Sequence, residues 1–215
     1  MGDRGRKAPG RKQVAEWRGA FGDAYIERNA ATPERVRQRV AAFGQILSQL
    51  RAAPPESILE GGANLGLNLR ALSEVTLATL YAVEPNARAR AVLVEDGVVP
   101  AERVFDGALS DLPFGDGAID LVFTSCVLIH VPDEALEASC RELYRVARRY
   151  ILCLEYFSPT PVTVHYRGHD DLLFKRDYGG LWLDTFSDLE VIAYGFFWKR
   201  TTGLDDVNWW LFRKT

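Results

Sequence analysis

The segment Ile58-Leu59-Glu60-Gly61-Gly62-Ala63-Asn64-Leu65-Gly66-Leu67-Asn68-Leu69 runs from an apolar stretch through a glycine-rich turn into a helical pattern. Glycines at such a turn let the backbone reverse sharply and let a ligand approach the amides at a helix start. Gly61, Ala63 and Gly66 approximate the dinucleotide pattern GxGxxG, but the middle glycine that admits a pyrophosphate is missing. Glu60, just ahead of the turn, repels a diphosphate and attracts an ammonium or a sulfonium, which favours S-adenosylmethionine over NAD. Taken alone, such a loop is often a plain strand-to-helix turn with no ligand. The run Leu80-Tyr81-Ala82-Val83-Glu84-Pro85-Asn86 ends on Glu84, 24 positions after Glu60, near the spacing at which a carboxylate accepts hydrogen bonds from ribose hydroxyls. Glu84 is the strongest single candidate for a cofactor contact.

A third element follows: Asp106-Gly107-Ala108-Leu109-Ser110, a turn at Gly115-Asp116-Gly117, the apolar run Ile119 to Phe123, and Ser125-Cys126-Val127-Leu128-Ile129-His130. With all three in order, residues 56 to 156 resemble a class I S-adenosylmethionine-dependent methyltransferase. The resemblance implies that Glu60, Gly62 and Gly66 surround the methionine part of the cofactor, Glu84 the ribose, and Ala108 and Leu109 the adenine edge, with Asn64 and Ser125 also among the cofactor contacts. Many relatives carry an Asp for the adenine amino group where this chain has Ala108, so backbone groups or Asp106 are expected to substitute. Ser125 and Cys126 would face the transferred group, while His130 serves equally well as a core or capping histidine. Three further segments, Glu16 to Asn29, Tyr166 through Gly180, and Asp205 to Trp210, extend the likeness. They resemble the clade called pseudaminic acid biosynthesis-associated methylases, and azetidine-2-carboxylate synthases are similar to that clade.

Trp17, Phe21 and Tyr25 fall at i, i+4 and i+8, one helical face that suits an aromatic wall against a sulfonium. Arg167, His169 and Arg176, with Lys175, are candidates for holding a substrate carboxylate, Arg with bidentate geometry. The catalytic candidates are Tyr25, Ser125, Tyr178 and Asn208, and bases for an acceptor proton are sought among His165, His169 and Tyr178. The histidines and acids form no metal spacing, and Thr124-Ser125-Cys126 lacks the GxSxG elbow of a hydrolase.

The elements that must position these groups follow from periodicity. Lys12 to Leu50 reads as two helices broken at Asn29 to Pro33, with Thr32 as N-cap and Pro33 at the first helical position. Strands are predicted at Ser57–Leu59, Thr79–Val83, Arg103–Phe105, Ile119–Thr124, Tyr150–Leu154, Leu189–Trp198 and Val207–Phe212, with helices at Leu65–Val75, Ala87–Glu95 and Asp133–Ala147. This alternation predicts an α/β fold with a mostly parallel, Rossmann-like methyltransferase sheet, closed by a C-terminal antiparallel hairpin and preceded by N-terminal lid helices. The expected division is a disordered basic leader over 1–12, a helical lid over 13–55 and a cofactor-binding domain over 56–215.

The chain of 215 residues is 47% hydrophobic and 26% charged, an ordinary globular balance. A net charge of −3 leaves no global positive field for nucleic acid or an anionic membrane. Cys126, Cys140 and Cys153 read as reduced thiols of a cytoplasmic protein, and no signal peptide or membrane span is expected. The expected partner is a small molecule. The expected function is methyl transfer to a small polar metabolite, a sugar or an amino acid. The alternative is cyclisation of S-adenosylmethionine to azetidine-2-carboxylate with release of methylthioadenosine, and a cofactor-binding protein without turnover ranks third.

Overall fold

The computed structural model describes residues 10–215, so most of the basic leader expected over 1–12 lies outside the described residues. Residues 11 and 12 are already helical, and Lys12 reaches Asp171 at 2.5 Å. Three helices precede the sheet rather than two: α1 (Arg11–Arg18), α2 (Ala20–Arg28) and α3 (Pro33–Leu47), the last running on as a 3-10 turn. Gly19 makes the difference, because its extended ψ of −155° interrupts the helix that the aromatic stripe implied. Thr32 caps α3 by accepting from the Arg35 amide, and Pro33 occupies the first turn, where no amide is needed.

Then come β1 (Ser57–Gly61), α4 (Leu67–Val75), β2 (Thr79–Val83), α5 (Ala87–Glu95), β3 (Val104–Phe105), β4 (Ile119–Ser125), α6 (Asp133–Val146) and β5 (Ala147–Glu155). The remainder holds β6 (Val162–Thr163), β7 (Phe174–Lys175), α7 (Tyr178–Thr185), β8 (Leu189–Phe197), α8 (Lys199–Thr202) and β9 (Val207–Lys214). The main sheet has the order β3-β2-β1-β4-β5-β9-β8. The first five strands pair in parallel, and β9 runs antiparallel between β5 and β8.

Both faces are covered. Phe43 and Ile46 of α3 pack with Leu69 and Leu72 of α4 and Leu93 of α5 on one side. Cys140 and Leu143 of α6 pack with Trp182 of α7 on the other. Central β4 is therefore almost continuously buried, with only Ser125 partly open at its carboxyl end. Parallel strands all deliver their carboxyl ends to one edge of the sheet, and ligands of such folds lie there.

Candidate active site

A cavity of about 400 Å³ opens at that edge. Its floor is the strand ends: Glu60, Gly62 and Asn64 after β1, Glu84 and Pro85 after β2, Ala108 to Ser110 after β3, and Ser125 to Val127 after β4. Gly62 has φ +78° and a side chain there would meet Val127 at 2.7 Å, so only glycine serves. The Gly62 and Ala63 amides donate to the Val83 carbonyl, which fixes the turn against β2.

Glu84 is buried and accepts from the Asn64 amide at 2.7 Å and the Asn86 amide at 2.8 Å, one on each oxygen. It thereby ties the two strand ends together, and each oxygen keeps a lone pair for a ligand. Burial pulls its pKa up while the two amides hold it down. Glu60 is 1% exposed; one oxygen accepts from Asn68 Nδ2 at 2.6 Å and the other is buried without a partner. Its pKa is pushed up to about 8 by burial. The Asn68 carbonyl oxygen in turn accepts from Arg39 Nε at 3.1 Å. Burial and the nearby Arg35 guanidinium lower the pKa of Arg39. Carboxylate, amide and guanidinium thus form one row, complementary to the ammonium and carboxylate of an α-amino acid. The orphaned Glu60 oxygen fits the methionyl end of S-adenosylmethionine, because a buried acceptor without a donor costs about 1–3 kcal/mol until a donor arrives.

Beyond β4, Cys126 takes a left-handed φ of +56° and its amide donates to the Leu154 carbonyl at 2.8 Å. Burial drives its thiol well above the ordinary value, so it stays protonated and is no nucleophile. Glu155 organises the next turn, accepting from the Thr124 hydroxyl and from the amides of Val127, Leu128 and Ile129. Burial pulls its pKa up to about 7 against those four donors. His130 closes that turn with Nδ1 on the Leu172 carbonyl, and burial lowers its pKa to about 4, so the ring is neutral near pH 7.

The roof is helical. α1 presents Gly10, Gln13, Val14 and Trp17, α2 presents Tyr25, and α3 presents Arg35, Gln38 and Arg39. Trp17 meets Phe21 and Tyr25 edge-on, each at 5.1 Å, and lies 4.9 Å from the His130 ring. Asn86 Nδ2 joins roof to floor, donating to the Trp17 carbonyl at 3.1 Å and Asp23 at 2.9 Å. Gly22 permits that approach, since a side chain there would lie 1.9 Å from the Trp17 carbonyl.

Of the residues singled out from the sequence, Tyr25, Glu60, Gly62, Asn64, Glu84, Ala108, Leu109 and Ser125 line this cavity. Gly66 does not; it starts α4 at φ +67°, packed against Leu93. Tyr178 is fully buried, its hydroxyl donating to the Phe174 carbonyl at 3.1 Å. Asn208 lies on β9 in register with Glu155, outside the lining. Arg176 pairs with Asp133, Arg167 is exposed over the Tyr166 ring, and His169 packs 5.5 Å from Phe21. Asp106 is held by Arg18 and Arg90 rather than offered to adenine. His165 is exposed and paired with Asp170 at 2.6 Å. Lining residues that the sequence reading passed over are Gln13, Arg35, Gln38, Arg39 and Lys199, while Asp205, which opens one of the distinctive segments, was given no role. The spacing 35, 38, 39 marks one helix face, but α3 was read only for its apolar stripe.

Residues 59–150 match the family described as a methyltransferase domain. The fold is that of class I methyltransferases. The chain is similar to the Burkholderia thailandensis 1,6-didemethyltoxoflavin-N1-methyltransferase, solved with S-adenosylhomocysteine, at 19% identity and TM-score 0.73 over 100% of this chain and 93% of that one. It is similar to the magnesium protoporphyrin IX methyltransferase of Synechocystis PCC 6803, solved with S-adenosylmethionine, at 12% identity and TM-score 0.67 over 100% of both chains. The [4+2]-cyclase SpnF shares the fold at 12% identity and TM-score 0.55 over 80% of each chain. No curated protein matches the chain. The matched residues run from within β1 to within β5, and the strand ends among them supply the floor described above. Among the described residues, no helix is long and apolar enough to cross a membrane.

Proposed function

We propose that this protein binds S-adenosylmethionine in the cavity and transfers its methyl group to a small polar metabolite, a sugar or an amino acid. The row Glu60–Asn68–Arg39, with its unpartnered buried oxygen, carries this reading. When bound, the cofactor supplies an electrophilic methyl on a sulfonium. Glu60 and Arg39 hold the amino-acid end, Glu84 the ribose, and Ala108 and Leu109 border the adenine. Ser125 and Tyr25 face the space left for an acceptor. Trp17 and Tyr25 exclude water and offer aromatic faces to the positive charge. Helices α1 to α3 act as the lid over the domain that follows. Three free thiols support a cytoplasmic setting.

A specific observation favours a second reading, cyclisation of the cofactor itself. About 400 Å³ lies near the low end of the range of about 300–1,000 Å³ for ligand pockets, and the roof is aromatic with two guanidiniums. Such a cavity suits a substrate that folds on itself. The amine lone pair would form a bond to Cγ as the Cγ–S bond breaks, the electron pair leaving with methylthioadenosine and the ammonium proton passing to solvent.

One incubation separates these. With S-adenosylmethionine alone, mass spectrometry is expected to find intact cofactor, and a panel of sugars and amino acids to release S-adenosylhomocysteine with a methylated product. Methylthioadenosine and azetidine-2-carboxylate from the cofactor alone would establish cyclisation instead. Calorimetric binding with no product from either mixture would leave a binding protein without turnover.

A further inference from the structure

We propose that Gln13, on the roof helix α1, reads the amino edge of the adenine. This rests on the cofactor assignment above and adds a residue to it. The cavity that Ala108 and Leu109 line at the edge assigned to the adenine is also lined by Ser110, Ala135 and Ser139. Ala108 brings only a methyl group where a carboxylate would accept from the amino group. Ser139 has its hydroxyl proton committed to the Ala135 carbonyl at 2.9 Å, so it can only accept, and it offers no donor to pair with a ring nitrogen beside the amino group. Asp106 is turned away to two arginines. Gln13 is 8% exposed, lines the same cavity, and its amide makes no hydrogen bond among the described residues.

The residue is largely buried while its amide has no protein partner among the described residues, which leaves both amide atoms free to pair with a ligand in the cavity. A carboxamide presents an acceptor beside a donor, the pattern that pairs with an adenine amino group and its neighbouring ring nitrogen. The helix is set to do this. Gly10 packs on Ala135 of α6 at one end, and the Trp17 carbonyl takes Asn86 at the other, which lays Gln13 across the span between.

The test is a cycle of two ligands and three proteins, read by calorimetry. The ligands are S-adenosylhomocysteine and its analogue with hydrogen in place of the 6-amino group. Wild type is expected to prefer the amino compound about tenfold or more. Gln13→Leu is expected to bind the two alike, losing affinity only for the amino compound. Gln13→Glu, which keeps an acceptor, retains the preference. A preference that survives in Gln13→Leu, whether or not both affinities fall, overturns the proposal, since the amino group would then be read elsewhere. Failure of the wild type to bind S-adenosylhomocysteine at all overturns the cofactor assignment and this proposal with it.

Discussion

Glu60 and Glu84 are both buried carboxylates at strand ends, yet their surroundings give them different work. Glu84 is committed to two backbone amides, so Glu84→Ala strands buried donors at about 1–3 kcal/mol each. Thermal unfolding should show that loss, and calorimetry a fall of about tenfold or more in S-adenosylhomocysteine affinity; unchanged affinity would remove Glu84 from the ligand contacts. Glu60 keeps a free oxygen and a pKa raised to about 8 from 4.5. A raised acid binds its proton more tightly in the folded chain, so its contribution to stability is full below about pH 4.5 and declines as pH climbs to about 8. A ligand ammonium favours the ionised form and reverses this. The melting-temperature gain from S-adenosylhomocysteine should therefore widen between pH 6 and about 8, and Glu60→Gln should flatten it. At this scale the sequence led to the cavity where a candidate is tied to a strand end, as for Glu60, Gly62, Glu84 and Ser125. It led elsewhere where candidates were chosen from a stretch read as loop, because no periodicity tells which way Arg167, Arg176 or Tyr178 points.

Among the elements, the parallel core was read to within about three residues at each boundary, since buried strands and capped helices write their periods locally. α7 was missed because Tyr178-Gly179-Gly180-Leu181-Trp182-Leu183-Asp184-Thr185 has two glycines and no clear polar face. Its start is a side-chain cap, Asp177 accepting from the Gly180 amide at 2.8 Å. β6 and β7 are two residues each, too short for any alternation to show. The break between α1 and α2 was equally silent, yet it sets how these helices lie over the cavity. Gly22→Ala should push Trp17 and α1 off the strand ends while sparing the sheet. Proteolysis within residues 10–30 should speed up, S-adenosylhomocysteine should bind about tenfold or more weakly, and far-UV circular dichroism should barely change.

For the whole molecule, cavity size sets the clientele. For the proposed methyl transfer, about 400 Å³ that must also hold the cofactor leaves room for an acceptor no larger than a monosaccharide or an amino acid. Competition assays should rank free amino acids and monosaccharides above oligosaccharides and peptides, and the reverse order would mean that the lid stays open during reaction. The Asn86 side chain has a wider consequence. Its oxygen caps α5 by accepting from the Ala89 amide, while its nitrogen grips α1 and α2 across the ligand space. One amide thus fastens the roof helices to the strand end at the cavity's edge. Under the proposed methyl transfer, release of product would wait on the parting of that grip about Gly19, so Asn86→Ala would shorten product residence without touching the step that breaks the bond to sulfur.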